Sequence, residues 1–373
     1  MSEPGRQRIF MTADAVGGVW QYATDLSAAL CRRGHSVTLA LLGPEPSPDQ
    51  RRLAEGIERL TLVETGQELD WLCPGPEPVE RAARALAGLA RAGSFDLVHC
   101  NHPALAGAAM FDMPLVAVAH GCVATWWQAA RSEPLDPSFH WHRDIMRRGL
   151  VAANATVAPS AAYAAIVQQV YRLPDCPQAV WNGRQPLAPG DAAGAEESPP
   201  LAAALTVGRL WDEVKGVALL DRVAGMIDLP FLAAGALVGP HGEAVSLSRL
   251  QYLGRLDEAE LASLLAQRPI FVSAATFEPF GLAVLEAAQA GCPLVLSDIP
   301  TFRELWDGAA IFVDPAEASG FARAITQLAS DPLRRSEQAA AAAARAARYT
   351  PEASAASMER IYRAVLGRQR AAA

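Results

Sequence analysis

The sequence predicts an α/β protein made of two parallel-sheet domains. Three observations carry this. Short apolar runs of strand length alternate with segments of helical spacing. The alternation occurs twice, and a stretch without periodicity, rich in Pro, Gly, Ala and acidic residues, separates the two runs at 186–200. With 373 residues, 51% apolar and 19% charged, the chain exceeds one ordinary domain and can fill two cores. Strands alternating with helices give parallel sheets covered on both faces.

In the first half, Arg8–Ala13, Ser36–Leu42, Leu60–Glu64, Asp96–Cys100 and Leu115–Ala119 read as strands. Helical spacing between them is clearest in Trp20–Arg33 and Val79–Arg91. The pattern resumes with strands at Leu201–Val207, Phe231–Ala234, Ile270–Ser273 and Leu294–Ser297. Ala339–Ala347 is helical, Tyr349-Thr350-Pro351 breaks it, and Glu352–Leu366 reads as a last helix. The expected divisions are a domain at 1–185, a linker at 186–200, a second domain at 201–350 and a terminal helix at 351–373.

The formal net charge of −8 gives no global reason to bind nucleic acid or an anionic membrane. Arg143, Arg147 and Arg148 form a local basic patch, read as a solvated helix face, so membrane contact is expected to be peripheral at most. Six cysteines at 31, 73, 100, 122, 176 and 292 form no C-x-x-C pair and read as buried thiols of a reducing compartment. The first residues lack an apolar stretch fit for a signal peptide, and no run of ~20 apolar residues occurs, so a cytoplasmic protein is expected. His99-Cys100-Asn101-His102 and His140-Trp141-His142 could supply metal ligands only by joining distant segments. No metal is expected, and His99 and His102 are expected to line a cleft.

The stretch Thr276–Glu286, TFEPFGLAVLE, carries the most chemistry. Glu278 and Glu286 stand eight positions apart around Pro279-Phe280-Gly281 and an apolar helical run. Pro279 suits a first helical turn, which would put Glu278 at the helix mouth and Glu286 about two turns inside. The amides of Phe280, Gly281 and Leu282 would then face a phosphate at the positive end of the helix dipole. A strand, a loop with a carboxylate and a helix N-terminus is how an open α/β sheet presents a ligand site. After the second domain's first strand come Gly208-Arg209 and Lys215-Gly216, two cations expected to converge on one anion. In the first domain Gly17-Gly18 opens a helix, and His120-Gly121 follows a strand. Gly34 reads as a helix C-cap with His35 a structural neighbour.

These residues resemble the E-x7-E motif and the Gly-Arg … Lys-Gly element of retaining glycosyltransferases of the GT-B fold, family 4 in particular. The resemblance spans Arg8–Leu366 and is densest over Val207–Asp314. It implies two Rossmann-like domains facing across a cleft, with the last helix crossing back to the first. The implied donor is a nucleotide-diphosphate sugar, UDP- or GDP-linked, used as co-substrate with no cofactor, and the acceptor is an unknown hydroxyl. It implies His120, Glu278, Arg209 and Lys215 at the reacting centre. Glu278 would touch the transferred sugar, and Glu286 the ribose hydroxyls. Gly17, Gly18, Gly208, Arg255, Leu256, Pro279, Phe280, Gly281 and Leu282 would surround the donor. Departures are Arg184-Gln185 after Asn182-Gly183, Ala274-Ala275 where the family has Pro-Ser, and Ala233-Ala234-Gly235 for a Gly-rich loop. Competing readings are a nucleotide-sugar epimerase or hydrolase of the same fold, and a non-catalytic sugar-nucleotide-binding protein. A nicotinamide oxidoreductase lacks its G-x-G-x-x-G fingerprint.

Overall fold

The structure is a computed structural model that describes residues 5–188 and 200–372. The linker expected at 186–200 falls mostly on 189–199, outside the described residues. The chain forms two compact units. One runs to Arg184 and resumes at Thr350; the other spans Gln185–Tyr349.

The first unit contains β1 (Arg8–Asp14), α1 (Gly18–Arg32), β2 (Ser36–Leu42), α2 (Pro48–Glu55), β3 (Leu60–Gln67), α3 (Pro76–Ala92) and β4 (Leu97–Cys100). It continues with α4 (Pro103–Ala108), β5 (Leu115–Val118), α5 (Val123–Ala130), α6 (His140–Ala152), β6 (Ala155–Ala158), α7 (Ala161–Tyr171) and β7 (Gln178–Ala179). The strands form one parallel sheet in the order β3-β2-β1-β4-β5-β6-β7. Six of the seven β1 residues are buried, as a strand covered on both faces requires, and Ile9 and Met11 lie in register with Val37 and Leu39.

The second unit contains β8 (Ala204–Val207), α8 (Val217–Ala224), β9 (Phe231–Ala234), β10 (Gln251–Tyr252), α9 (Glu258–Ala266) and β11 (Ile270–Ser273). Then follow α10 (Leu282–Gln289), β12 (Leu294–Ser297), α11 (Pro300–Trp306), β13 (Ile311–Val313), α12 (Ala318–Ser330) and α13 (Pro332–Ala346). Its parallel sheet has the order β10-β9-β8-β11-β12-β13. Leu205, Phe271, Leu294 and Leu296 pack into one apolar cluster, and Ala204, Ile270, Val272 and Val295 into another. Neighbours along a strand thus point to opposite faces, each with its own core.

In both sheets the order turns back beside the unit's first strand, between β1 and β4 and between β8 and β11. Loops leaving the carboxyl ends of strands at such a switch point part to opposite faces and leave a crevice.

The terminal helix α14 (Pro351–Ala372) belongs to the first unit. Ala355, Met358, Ile361, Tyr362 and Val365 recur at helical spacing and enter the core of Ile9, Met11 and Leu26. Arg33 donates to both oxygens of Glu359, at 2.6 and 2.8 Å, and His35 Nε2 lies 3.0 Å from one of them. The Arg33 hydrogen bonds, aided by His35, hold the Glu359 carboxyl below the usual range although burial opposes them. His35 is buried, and Gly34, with φ of 96°, lies one residue beyond the Arg33 C-cap of α1.

Candidate active site

In the second unit, glycines set the loops after β8, β9 and β10 side by side. A Cβ on Gly235 would run into the Gly208 carbonyl oxygen, and the Gly235 N–H donates to the Gly254 carbonyl at 2.8 Å. The turn Glu213–Lys215 is registered against the loop after β11 by two backbone contacts. The Thr276 N–H donates to the Val214 carbonyl at 2.8 Å. Gly216, with φ of 68°, leans on the Ala274 carbonyl where no Cβ fits. Lys215 and Glu278 are thereby brought together, Nζ to Oε2 at 2.7 Å, with side chains 20% and 17% exposed. This pair bridges the loops that follow β8 and β11, the two strands at the switch point.

One expectation needs correction here. The helix α10 begins at Leu282, with Gly281 as N-cap at φ 93° and ψ 67°, so Pro279 lies in the loop before it. A left-handed residue cannot sit inside a right-handed helix, so the helix starts after Gly281 and Glu286 is one turn inside. Glu286 is buried. The Phe280 side chain is core, 3% exposed and edge-on to Tyr349 at 5.7 Å, and Leu282 packs against the same cluster. Only their main-chain groups remain for a ligand. The N-cap makes no side-chain hydrogen bond, so no side chain closes the first-turn amides from that position.

Arg209 and Lys215 take different carboxylates. Arg209 pairs with Asp212 at 2.9 Å and lies over the Trp211 ring at 5.7 Å, with its side chain 57% exposed. Asp212 is 2% exposed, and a buried carboxylate three residues along requires a counter-charge. Arg255 is exposed and Leu256 half-buried, on the loop that Gly254 ties to Gly235.

In the first unit, Asp14 at the end of β1 accepts the Val16 N–H at 2.7 Å and lies 3.0 Å from His102 Nε2. Gly17, at φ 78°, caps α1 without a side-chain hydrogen bond, and Gly17 and Gly18 are exposed. His120 follows β5, half-buried, with Nε2 at 2.8 Å from Asn101 Oδ1 and its ring 4.4 Å from that of Tyr22. Burial, then His99 and His102, push its pKa down to about 3. Burial pushes His99 down to about 4. Burial works against His102 too, but its hydrogen bond to Asp14 and the carboxylate charge raise it.

His99 and His102 do not line a cleft; they are buried, and Tyr362 of α14 covers His99 with its hydroxyl at 2.6 Å. His142 pairs with Asp70 at 2.9 Å, while His140 faces the Leu135 carbonyl. Among the described residues, no group of three His, Cys, Asp or Glu is placed to hold a metal ion. The six thiols are free, and four are buried, but Cys122 is half-buried and Cys176 is exposed beside Pro174 and Asp175, where no apolar run covers it. Sequence reasoning missed Asn101, Asp14, Tyr22 and Tyr362. Asn101 follows a strand end, the one sign that pointed to it. A cavity of about 690 Å³, lined by Trp127, Arg131, Arg143 and Arg172 among others, contains none of the expected site residues.

A family model for Glycosyltransferase Family 4 matches residues 16–183, and one for Glycosyl transferases group 1 matches 202–331. The chain is a family 4-like glycosyltransferase. It is 27% identical over 375 residues to a Mycobacterium tuberculosis glycogen synthase, covering 88% of this chain and 86% of that protein. It is 26% identical over 378 residues to the phosphatidyl-myo-inositol mannosyltransferase of the same organism, covering 95% of each. Among solved structures, a sucrose-phosphate synthase from Thermosynechococcus elongatus superposes with a TM-score of 0.77 at 20% identity, over 97% of this chain and 100% of that one. The Anabaena protein HepE, in complex with UDP and glucose, gives 0.72 at 16% identity, over 95% and 99%. The fold is GT-B, and the chain is a transferase of glycosyl groups. Among the described residues no helix is long and apolar enough to cross a membrane.

Proposed function

We propose that this glycosyltransferase moves a sugar from a nucleotide-diphosphate sugar, UDP- or GDP-linked, to an acceptor hydroxyl, with retention at the anomeric carbon. The observation that carries the reading is the Lys215–Glu278 pair at the β8–β11 switch point, beside the N-terminus of α10. A diphosphate suits that place: an ammonium faces it, and the α10 dipole favours negative charge. Glu278 accepts sugar hydroxyls while holding Lys215. Glu286 takes the ribose. His120 orients a sugar hydroxyl, and Arg209 adds charge at the leaving group. In the reaction, the bond from the anomeric carbon to the diphosphate oxygen breaks. The acceptor oxygen bonds on the same face, and its proton passes to the departing diphosphate oxygen. Fixed cations do the neutralising, so we expect no metal requirement. HepE, whose complex holds UDP and glucose, lends the donor class support by analogy of fold. The site fits work in the cytoplasm, where nucleotide sugars are made.

A thermal-shift screen of UDP-, GDP- and ADP-sugars tests this. A donor at ~100 times its dissociation constant is expected to add roughly 2.7 kcal/mol of stability. Transfer with that donor should survive saturating EDTA. No shift with any donor contradicts the reading, and loss on chelation restored by Mg²⁺ contradicts its metal-free form.

A further inference from the structure

Asn101 closes a hydrogen-bond network that reaches His120. Its main-chain N–H donates to Thr12 Oγ1 at 2.9 Å, and its side-chain Nδ2 donates to the Thr12 carbonyl at 2.8 Å. A carbonyl only accepts, so the amide cannot be turned over. Its Oδ1 therefore faces the two imidazoles, His120 Nε2 at 2.8 Å and His99 Nε2 at 3.0 Å. An amide oxygen has two lone pairs and no proton, so both rings carry their proton on Nε2. His99 then offers Nδ1 as an acceptor, and the Tyr362 hydroxyl donates to it at 2.6 Å. Asn101 and His99 are 4% and 0% exposed, so water does not offer substitutes. One proton arrangement satisfies the bonds that run from Tyr362 through His99 and Asn101 to His120, with the Tyr22 hydroxyl 3.4 Å from His99 Nε2 beside them.

We propose that Asn101 is a positioning residue for glycosyl transfer: it holds His120 in the Nε2–H tautomer, leaving Nδ1 as acceptor for a substrate hydroxyl, with His99 and Tyr362 fixing Asn101 in turn. The inference rests on the reading of His120 as a contact of the transferred sugar. The titratable groups around the ring are Tyr22 from α1, His99 from β4, His102 with Asp14 beyond it, and Tyr362 from α14. With the His120 pKa pushed down to about 3, the acceptor nitrogen stays unprotonated across the physiological range.

Histidine ¹⁵N spectra and the pH dependence of kcat test it on the whole chain. The wild type should show His120 as the Nε2–H tautomer, with no histidine ionisation in kcat between roughly pH 5 and 8. Asn101→Asp places a carboxylate against the ring and favours the imidazolium, whose Nδ1 no longer accepts. A new ionisation should then appear in that window, with kcat lost on its acid side and recovered above it. Asn101→Leu should mix the tautomers and lower kcat about 10- to 100-fold, with the donor KM less affected. Tyr362→Phe, which keeps the ring, should shift the His99 nitrogens and lower kcat mildly, and it carries the test if Asn101→Leu does not fold. An Asn101→Asp profile parallel to the wild type, with an unchanged His120 spectrum, overturns the inference alone. Unaltered turnover in His120→Ala overturns the reading beneath it.

Discussion

The Lys215 ammonium has three N–H donors, and Glu278 takes one of them at 2.7 Å. Two remain for phosphate oxygens, so the ion pair and a bound diphosphate are compatible. Charge builds on the diphosphate as its bond to the sugar breaks, so Lys215 acts most strongly in the transition state. Lys215→Ala should therefore lower kcat by a factor of ~100 to 1000 while weakening donor binding less. Steady-state kinetics with the identified donor decide this, and unchanged turnover would remove Lys215 from the chemistry. Both members of the pair were legible in the sequence, because Glu278 precedes Pro-Phe-Gly and Lys215 follows a strand with Gly-Arg. Their contact was not, since it depends on Gly216 and Thr276 registering two loops that are distant in the chain. Asp212 as the partner of Arg209 was equally hidden: a carboxylate three residues from an arginine is ordinary in sequence, and only its burial makes it a captor.

At the scale of elements, strands of four or more apolar residues were readable, and β2, β9, β11 and β12 run over the very residues expected. The two-residue strands β7 and β10 are exposed pieces of Gln, Ala and Tyr with no apolar run to mark them. Pro279 signals a first turn of α10 in the sequence, whereas Gly281 in the left-handed region sets the boundary. The helix α14 illustrates how an element is held at a distance in sequence. Its Glu359 carboxylate, 5% exposed, meets Arg33 and His35 from the end of α1. Because the Arg33 side chain is 40% exposed, water screens the pair, and we expect Glu359→Gln to cost about 2 kcal/mol. Glu359 has its folded pKa lowered, so its stabilisation is present above the unfolded carboxylate value. That contribution is lost as pH falls through the lowered folded value. Urea denaturation from neutral to acid pH should show the wild type and Glu359→Gln converging at the acid end. A constant gap between them would show that the contribution is not ionic.

Over the whole molecule, two parallel sheets present switch points of different electrostatic character. The first unit offers His120, kept neutral by burial and backed by the buried His99, while the second offers Lys215, Arg209 and Glu278. Neutral hydrogen-bonding groups suit hydroxyls, and fixed charges suit a diphosphate. The two-domain α/β class was legible because strand–helix alternation repeats. The neutral network was not, because Asn101, Tyr22 and Tyr362 come from three separate elements. The central claim is that the donor lies along α10, with Glu278 at its sugar and Glu286 at its ribose. Calorimetric titration of free nucleotide and of intact donor into Glu278→Gln and Glu286→Gln tests it most directly. Glu286→Gln should weaken both ligands by ~10- to 100-fold, the loss of one charged hydrogen bond of roughly 1.5–3 kcal/mol. Glu278→Gln should leave free nucleotide binding nearly unchanged, since that ligand has no sugar, yet impair transfer. Equal weakening of free nucleotide by both substitutions would contradict the account.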